Sequence, residues 1–185
     1  GNVTVDSSTT GNAVIWFTNA SASLTVEENA VFVVNALETY MMYTDVSPVL
    51  TFKQNSSTKI ATKNGLFYSS GSSSHIASTF TLEQNASFVA SQSASNSAPL
   101  FNCLTDFTLA NNSTFHLYSS VSSTSALVYF GQRANINITS PKSVVLYNNG
   151  GNVFNFQTGI ASSPNTIKIN TEILNLWDKA TTPLD

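Results

Sequence analysis

Beyond hydroxyls and amides, the chemistry-bearing side chains of this 185-residue chain are ten Asp and Glu, seven Lys and Arg, two His and one Cys. Cleaving a polysaccharide by elimination takes a carboxylate cluster that holds calcium and a base near the sugar's acidic proton. Hydrolysing one usually takes two carboxylates facing each other across the bond. Neither set is visible. Glu27 and Glu28 are adjacent, so on a strand they point to opposite sides. Glu27, Lys53, Glu83 and Ala110 share one position of the repeat described below, and this column reads as an ion-pair ladder. Arg133, the sole arginine, falls in a GQRAN segment that reads as a turn. His75 and His116 stand 41 residues apart without an obvious carboxylate partner. No G-x-S-x-G elbow occurs, and NNGGN at 148–152 lacks the strand and helix of a phosphate cradle. No His/Cys/Asp set has metal-ligand spacing. Cys103, flanked by Leu100, Phe101 and Leu104, reads as a small buried hydrophobe. The expectation is a protein without catalytic residues, metal or cofactor.

Composition narrows the function classes further. Charged residues are 9% of the chain, against roughly 25% in an average soluble domain. Ser, Thr and Asn supply nearly two-fifths of it, while hydrophobic residues hold at 42%. That hydrophobic share excludes disorder, which combines low hydrophobicity with high net charge. A net charge of −3 leaves no electrostatic footprint for nucleic acid. The longest apolar runs, such as Ala13 to Phe17, are too short to span a bilayer. Low charge with abundant hydroxyls and amides suits an extracellular surface, including a bacterial one that does not rely on disulfides. No signal peptide or membrane anchor is visible. The chain opens on strand-like GNVTVD and stops at TTPLD, so the expectation is a segment of a longer secreted or wall-attached protein. Seven N-x-S/T triplets, at Asn2, Asn19, Asn55, Asn85, Asn111, Asn112 and Asn137, follow from composition and a recurring corner rather than from glycosylation.

What would position these side chains is a repeat. A hydrophobic–polar–hydrophobic triplet recurs at Val3-Thr4-Val5, Leu24-Thr25-Val26, Leu50-Thr51-Phe52, Phe80-Thr81-Leu82, Phe107-Thr108-Leu109, Ile136-Asn137-Ile138 and Ile167-Lys168-Ile169. Successive starts lie 21, 26, 30, 27, 29 and 31 residues apart. Period-two alternation marks a strand with one buried face. Five residues after the start stand Asn29, Asn55, Asn85 and Asn112, with Pro141 in the next copy; Asn tolerates the left-handed backbone of a sharp corner. A second strand follows, with Phe32 and Val34, Phe88 and Ala90, Phe115 and Leu117, and Val144 and Leu146 at matching offsets. A third apolar cluster closes each copy, from Val14–Phe17 through Tyr40–Tyr43, Leu66–Tyr68, Leu100–Leu104 and Leu127–Phe130 to Val153–Phe156. Length varies in the Ser-rich excursions Ser69–Ser74, Ser91–Ser97 and Ser119–Ser125, as loops on a fixed scaffold do. The predicted fold is all-β, a parallel β-helix or single-stranded β-solenoid of about seven coils, rising about 4.8 Å per coil. An antiparallel β-sandwich also uses short alternating strands, but it does not repeat one residue type at one offset in phase. The whole of 1–185 reads as one module, with 177–185 as a cap or linker.

The alternation also says which side chains leave the core. In the second strand the outward positions read Asn35, Ala61, Ser91, Tyr118, Tyr147 in one column and Val33, Lys59, Val89, His116, Val145 in the other. Tyr118 and Tyr147 are therefore predicted on neighbouring coils with His116 beside them. Flat aromatic faces bury the apolar side of a sugar while their hydroxyls keep a polar partner. Arg133 and Lys142, in adjoining turns, would neutralise an acidic sugar. Outward Thr4, Thr25, Thr51, Thr81 and Thr108 form a further column of the kind an ice-binding solenoid presents, although uneven coil lengths spoil its regularity.

The units LTVEEN, FTLEQNASF and FTLANNSTF, the segment PKSVVLYNNGGNVF and the terminal INTEILNLWDK with Trp177 resemble the pectate-lyase-like adhesive domains of wall-anchored surface proteins in Gram-positive bacteria. The resemblance covers essentially the whole chain. It implies a right-handed parallel β-helix at the bacterial cell surface, anchored through a region outside this chain. It also implies adhesion to host or environmental material, often carbohydrate. The expected function is a non-catalytic, ligand-binding module with Tyr118, Tyr147, His116, Arg133 and Lys142 as the candidate site. The alternatives are a polysaccharide lyase or hydrolase of the same fold, a structural stalk segment, and an ice-binding solenoid. Neither nucleic acid nor membrane insertion is expected among its partners.

Overall fold

The fold is known from a computed structural model, which describes residues 1–8, 13–18, 21–44, 47–68, 78–93, 99–121, 126–156, 166–170 and 175–178. The chain runs through β1 (Asn2–Ser7), β2 (Ala13–Phe17), β3 (Ser23–Val26), β4 (Val31–Ala36), β5 (Tyr40–Thr44) and β6 (Val49–Phe52). It continues as β7 (Ser57–Thr62), β8 (Gly65–Tyr68), β9 (Ser78–Leu82), β10 (Ser87–Gln92), β11 (Phe101–Leu109) and β12 (Thr114–Ser119). Then come β13 (Val128–Thr139), β14 (Ser143–Asn148), β15 (Phe154–Phe156), β16 (Thr166–Asn170) and β17 (Asn175–Asp178). Strand neighbours are not sequence neighbours. Sheet 1 stacks β1-β4-β7-β10-β12-β14-β17, sheet 2 stacks β3-β6-β9-β11-β13 with β15 and β16 both on β13, and sheet 3 stacks β2-β5-β8. Every registered pair is parallel. The protein is a parallel β-solenoid, and no helix occurs among the described residues. An antiparallel sandwich is excluded by the strand directions.

Sheet 3 does not end at β8. The amide of Leu66 donates to the Leu100 carbonyl (2.8 Å), that of Phe101 to Leu127 (3.0 Å) and that of Val128 to Val153 (3.0 Å), so the third apolar cluster continues as a ladder. β11 and β13 are long because each serves two ladders. Their first residues extend the third one, and after register shifts between Phe101 and Asp106 their last residues join sheet 2. Such irregularities bend a strand without ending it. GQRAN is accordingly part of β13 and not a turn, which corrects the expectation for Arg133.

Alternation builds the core. In sheet 2 the columns Leu50, Phe80, Phe107, Ile136 and Phe52, Leu82, Leu109, Ile138 are buried; in sheet 1 so are Val34, Ile60, Ala90, Leu117 and Leu146. Phe80 lies at the centre, its ring 5.1–5.4 Å from those of Phe52, Phe88, Phe101, Phe107 and Phe115. One copy breaks the pattern: where Phe32, Phe88 and Phe115 stand, β7 supplies Thr58. The hydroxyls of Thr58 and neighbouring Ser56 are buried without a hydrogen-bond partner.

The corners between sheets 2 and 1 are made as expected in four copies, where Asn29, Asn55, Asn85 and Asn112 hold φ of 58–60°. Their side chains also stack: Asn85 Nδ2 donates to Asn55 Oδ1 (3.1 Å) and Asn112 Nδ2 to Asn85 Oδ1 (2.5 Å). In the fifth copy the left-handed residue is Ser140, at φ 42°, one position before Pro141. Proline is locked near −65° and cannot take that conformation, so the corner moves back by one.

The first triplet was misplaced by the sequence reading. Val3-Thr4-Val5 pairs with Phe32-Val33-Val34 in sheet 1, not with Leu24-Thr25-Val26. Period-two alternation marks any half-buried strand, so the triplet alone does not distinguish one sheet from another. The short spacing of 21 residues to the next copy was the sign of the misfit. The threonine column therefore starts at Thr25, runs through Thr51, Thr81 and Thr108, and ends on Asn137 and Lys168.

Candidate ligand-binding face

β12 and β14 are interior strands of sheet 1. Their sequences TFHLYS and SVVLYN alternate so that Phe115, Leu117, Val144 and Leu146 enter the core. Thr114, His116 and Tyr118 must then face outward beside Ser143, Val145 and Tyr147. The register sets Tyr118 opposite Tyr147, His116 opposite Val145 and Thr114 opposite Ser143. Tyr118 is 37% exposed, and Tyr147 is half-buried.

His116 ties the two strands together. Its Nε2 lies 2.8 Å from Ser143 Oγ, and its Nδ1 lies 3.4 Å from the Tyr118 hydroxyl. Its ring meets the Tyr118 ring edge-on, at 88° with centroids 6.1 Å apart. Partial burial lowers the His116 pKa, so the ring is neutral at pH 7. A neutral imidazole donates through one nitrogen and accepts through the other. Both hydroxyls are thus held by one ring, and the Tyr118 side chain is braced by a contact within its own strand.

The five predicted site residues are not all gathered here. Tyr118, Tyr147 and His116 form one cluster. Lys142 is exposed and immediately precedes Ser143, where its amide donates to the Ser113 carbonyl (2.8 Å). Arg133 belongs to β13 in sheet 2, a different sheet from the tyrosines. Its side chain and that of Cys103 lie outside the described residues, as does His75. Two residues were missed. Ser143 was not singled out, although its offset from His116 was readable once the register was known. Trp177 was read as part of a terminal motif, whereas β17 places it opposite Tyr147. In the last copy Trp177 stands ten residues after the start of its triplet, whereas Tyr118 and Tyr147 stand eleven after theirs, and this hides the match. One register position thus carries Tyr118, Tyr147 and Trp177 on three successive strands.

The column of Glu27, Lys53 and Glu83 lies on the other side of the Asn corners. Lys53 Nζ binds Glu27 (3.1 Å), but Glu83 accepts the Gln54 amide (3.0 Å). The expected ion-pair ladder is therefore one pair long on the described contacts. Among the described residues no three His, Cys, Asp or Glu side chains are grouped to hold a metal ion. The Ser143–His116 contact has the separation of a nucleophile and its base. Compared with known proteins, the chain matches no family model, no curated protein and no solved structure.

Proposed function

We propose that this chain is a non-catalytic adhesive module of a bacterial surface protein, which holds a carbohydrate against the outward face of sheet 1. In this reading it is akin to the pectate-lyase-like adhesive domains whose repeat units its sequence resembles. The carrying observation is the in-register pair Tyr118 and Tyr147, on strands about 4.8 Å apart, with His116 bracing the exposed ring. Two rings at one register position offer a sugar a flat apolar strip, and the hydroxyls of Tyr118 and Ser143 offer it hydrogen bonds. Lys142 beside the strip favours an acidic sugar over a basic one. Low charge and a hydroxyl-rich surface fit an extracellular setting.

The test is a glycan array that includes uronic-acid and host polysaccharides, run on the whole chain and on Tyr118→Ala with Tyr147→Ala. Binding without turnover is expected from the parent, with at least a tenfold loss in the double variant (about 1.4 kcal/mol). The thermal midpoint should hardly move, because both rings lie on the outward face. Retained binding in the double variant would remove this face from the mechanism. Cleaved or unsaturated products would replace the adhesin by an enzyme of the same fold.

A further inference from the structure

We propose that Trp16 and Tyr43 form a second saccharide platform, on sheet 3, selective for a neutral sugar ring. β2 and β5 pair with Trp16 opposite Tyr43, and the next strand, β8, sets Tyr68 opposite Tyr43. The rings of Trp16 and Tyr43 lie 4.7 Å apart between centroids, tilted by 55°. Trp16 is 64% exposed while Tyr43 is only 7% exposed. Tyr43 therefore acts as a floor on which the indole rests, and the indole shows most of its surface to solvent in a supported position. This is more than a stray surface hydrophobe, which would have no ring beneath it.

The surroundings define the ligand. The strands AVIWF, YMMYT and GLFY carry no charged residue. Glu38 and Lys63, which precede β5 and β8, pair with each other at 2.9 Å. Recognition here rests on stacking and dispersion: among the described residues of these three strands no side chain carries a charge to select an anion or a cation. Size decides against a folded protein partner: one aromatic side chain buries up to about 250 Å², whereas a stable protein interface needs about 800 Å² on each side. A single ring with an apolar C–H face and uncharged hydroxyls at its rim fits the platform. The site stands independently of the reading given for sheet 1.

The test follows the indole N–H signals of the isotopically labelled whole chain while neutral gluco-, xylo- and chito-oligosaccharides and, in separate titrations, oligogalacturonate and serum albumin are added. The signal absent from Trp16→Ala identifies Trp16, and calorimetry on both proteins gives affinities. At least one neutral oligosaccharide should shift the Trp16 signal saturably and as strongly in high salt. Trp16→Ala should weaken that binding about tenfold or more, while Tyr118→Ala with Tyr147→Ala leaves it intact. The exposed position of Trp16 makes its replacement safe for folding, and an unchanged thermal midpoint verifies this. No shift with any of the saccharides overturns the proposal, as does a shift seen only with oligogalacturonate or only with added protein. Binding that survives in Trp16→Ala overturns it too.

Discussion

Tyr118–Tyr147 on sheet 1 and Trp16–Tyr43 on sheet 3 are built by the same rule, since each pair occupies one register position on adjacent parallel strands. They differ in support and in electrostatics. Tyr118 and Tyr147 sit on interior strands, and a neutral imidazole and a serine hydroxyl organise the hydroxyl of Tyr118. Trp16 stands on β2, an end strand of its sheet, and among the described contacts it is supported by the Tyr43 ring. The comparison teaches that a solenoid repeats position without repeating chemistry. Register brings rings together, and whatever the neighbouring columns hold decides which ligand the rings would take.

The hardest test of the comparison is to remove what both pairs stand on. Phe80→Ala should destabilise the chain by about 3–5 kcal/mol, because a fully buried ring at the centre of five others leaves a cavity. A single lowered unfolding transition is expected by calorimetry, with both platforms lost together. Two transitions would mean that the solenoid breaks into separately folding ends, as nearest-neighbour stacking permits, and that the platforms have independent foundations.

A smaller change should separate the two. Gly65 pairs with Tyr40 in sheet 3 and has φ +138°, and a Cβ there would stand 2.9 Å from the Pro99 carbonyl oxygen. Gly65→Ala should cost about 1–3 kcal/mol through backbone strain and this close approach. The Trp16 indole signal should move while binding at sheet 1 is retained at temperatures below the transition. Equal damage at both faces would contradict the local nature of the rungs.

The smallest effect expected is one of pH. Burial lowers the His116 pKa in the folded chain, so the unfolded chain takes up the proton first. The neutral form's contribution is fully present above about pH 6.5 and is lost as pH falls through the lowered folded value. Protonation also turns both ring nitrogens into donors and rearranges the Ser143 and Tyr118 hydroxyls. Acidification from pH 7 to pH 5 should therefore change sheet 1 binding in the parent more than in His116→Gln, and should leave Trp16 binding unaffected. Matching profiles in the parent and His116→Gln would take His116 out of the sheet 1 site.

Much of the fold was legible because its determinants are local and recurrent. Asn29, Asn55, Asn85 and Asn112 mark corners since few other side chains tolerate φ near 58°. The outward column of Tyr118 and Tyr147 followed from period two plus one offset. Legibility stopped where a signal was shared or displaced. Val3-Thr4-Val5 has the alternation of either sheet and was assigned to the wrong one. Pro141 occupied the corner offset but passed the left-handed turn back to Ser140. Arg133 looked like a turn residue because β13 bends through it without breaking. Trp177 stands one position short of the offset that Tyr118 and Tyr147 share, so only the register showed the match.

By itself the amino-acid sequence determined that the chain is built of short half-buried strands in phase, turned at Asn corners around a stacked apolar core. Alternation and left-handed tolerance are properties of single residues and their near neighbours, so they can be read without coordinates. Only the tertiary structure decided which rungs touch. The Ser143–His116 contact, the rung that sets Trp177 opposite Tyr147 and the resting of Trp16 on Tyr43 all depend on register between strands about thirty residues apart. A slip of one residue turns the side chains of a whole strand to the other face, and the sum of many backbone hydrogen bonds, rather than any local preference, holds the alignment.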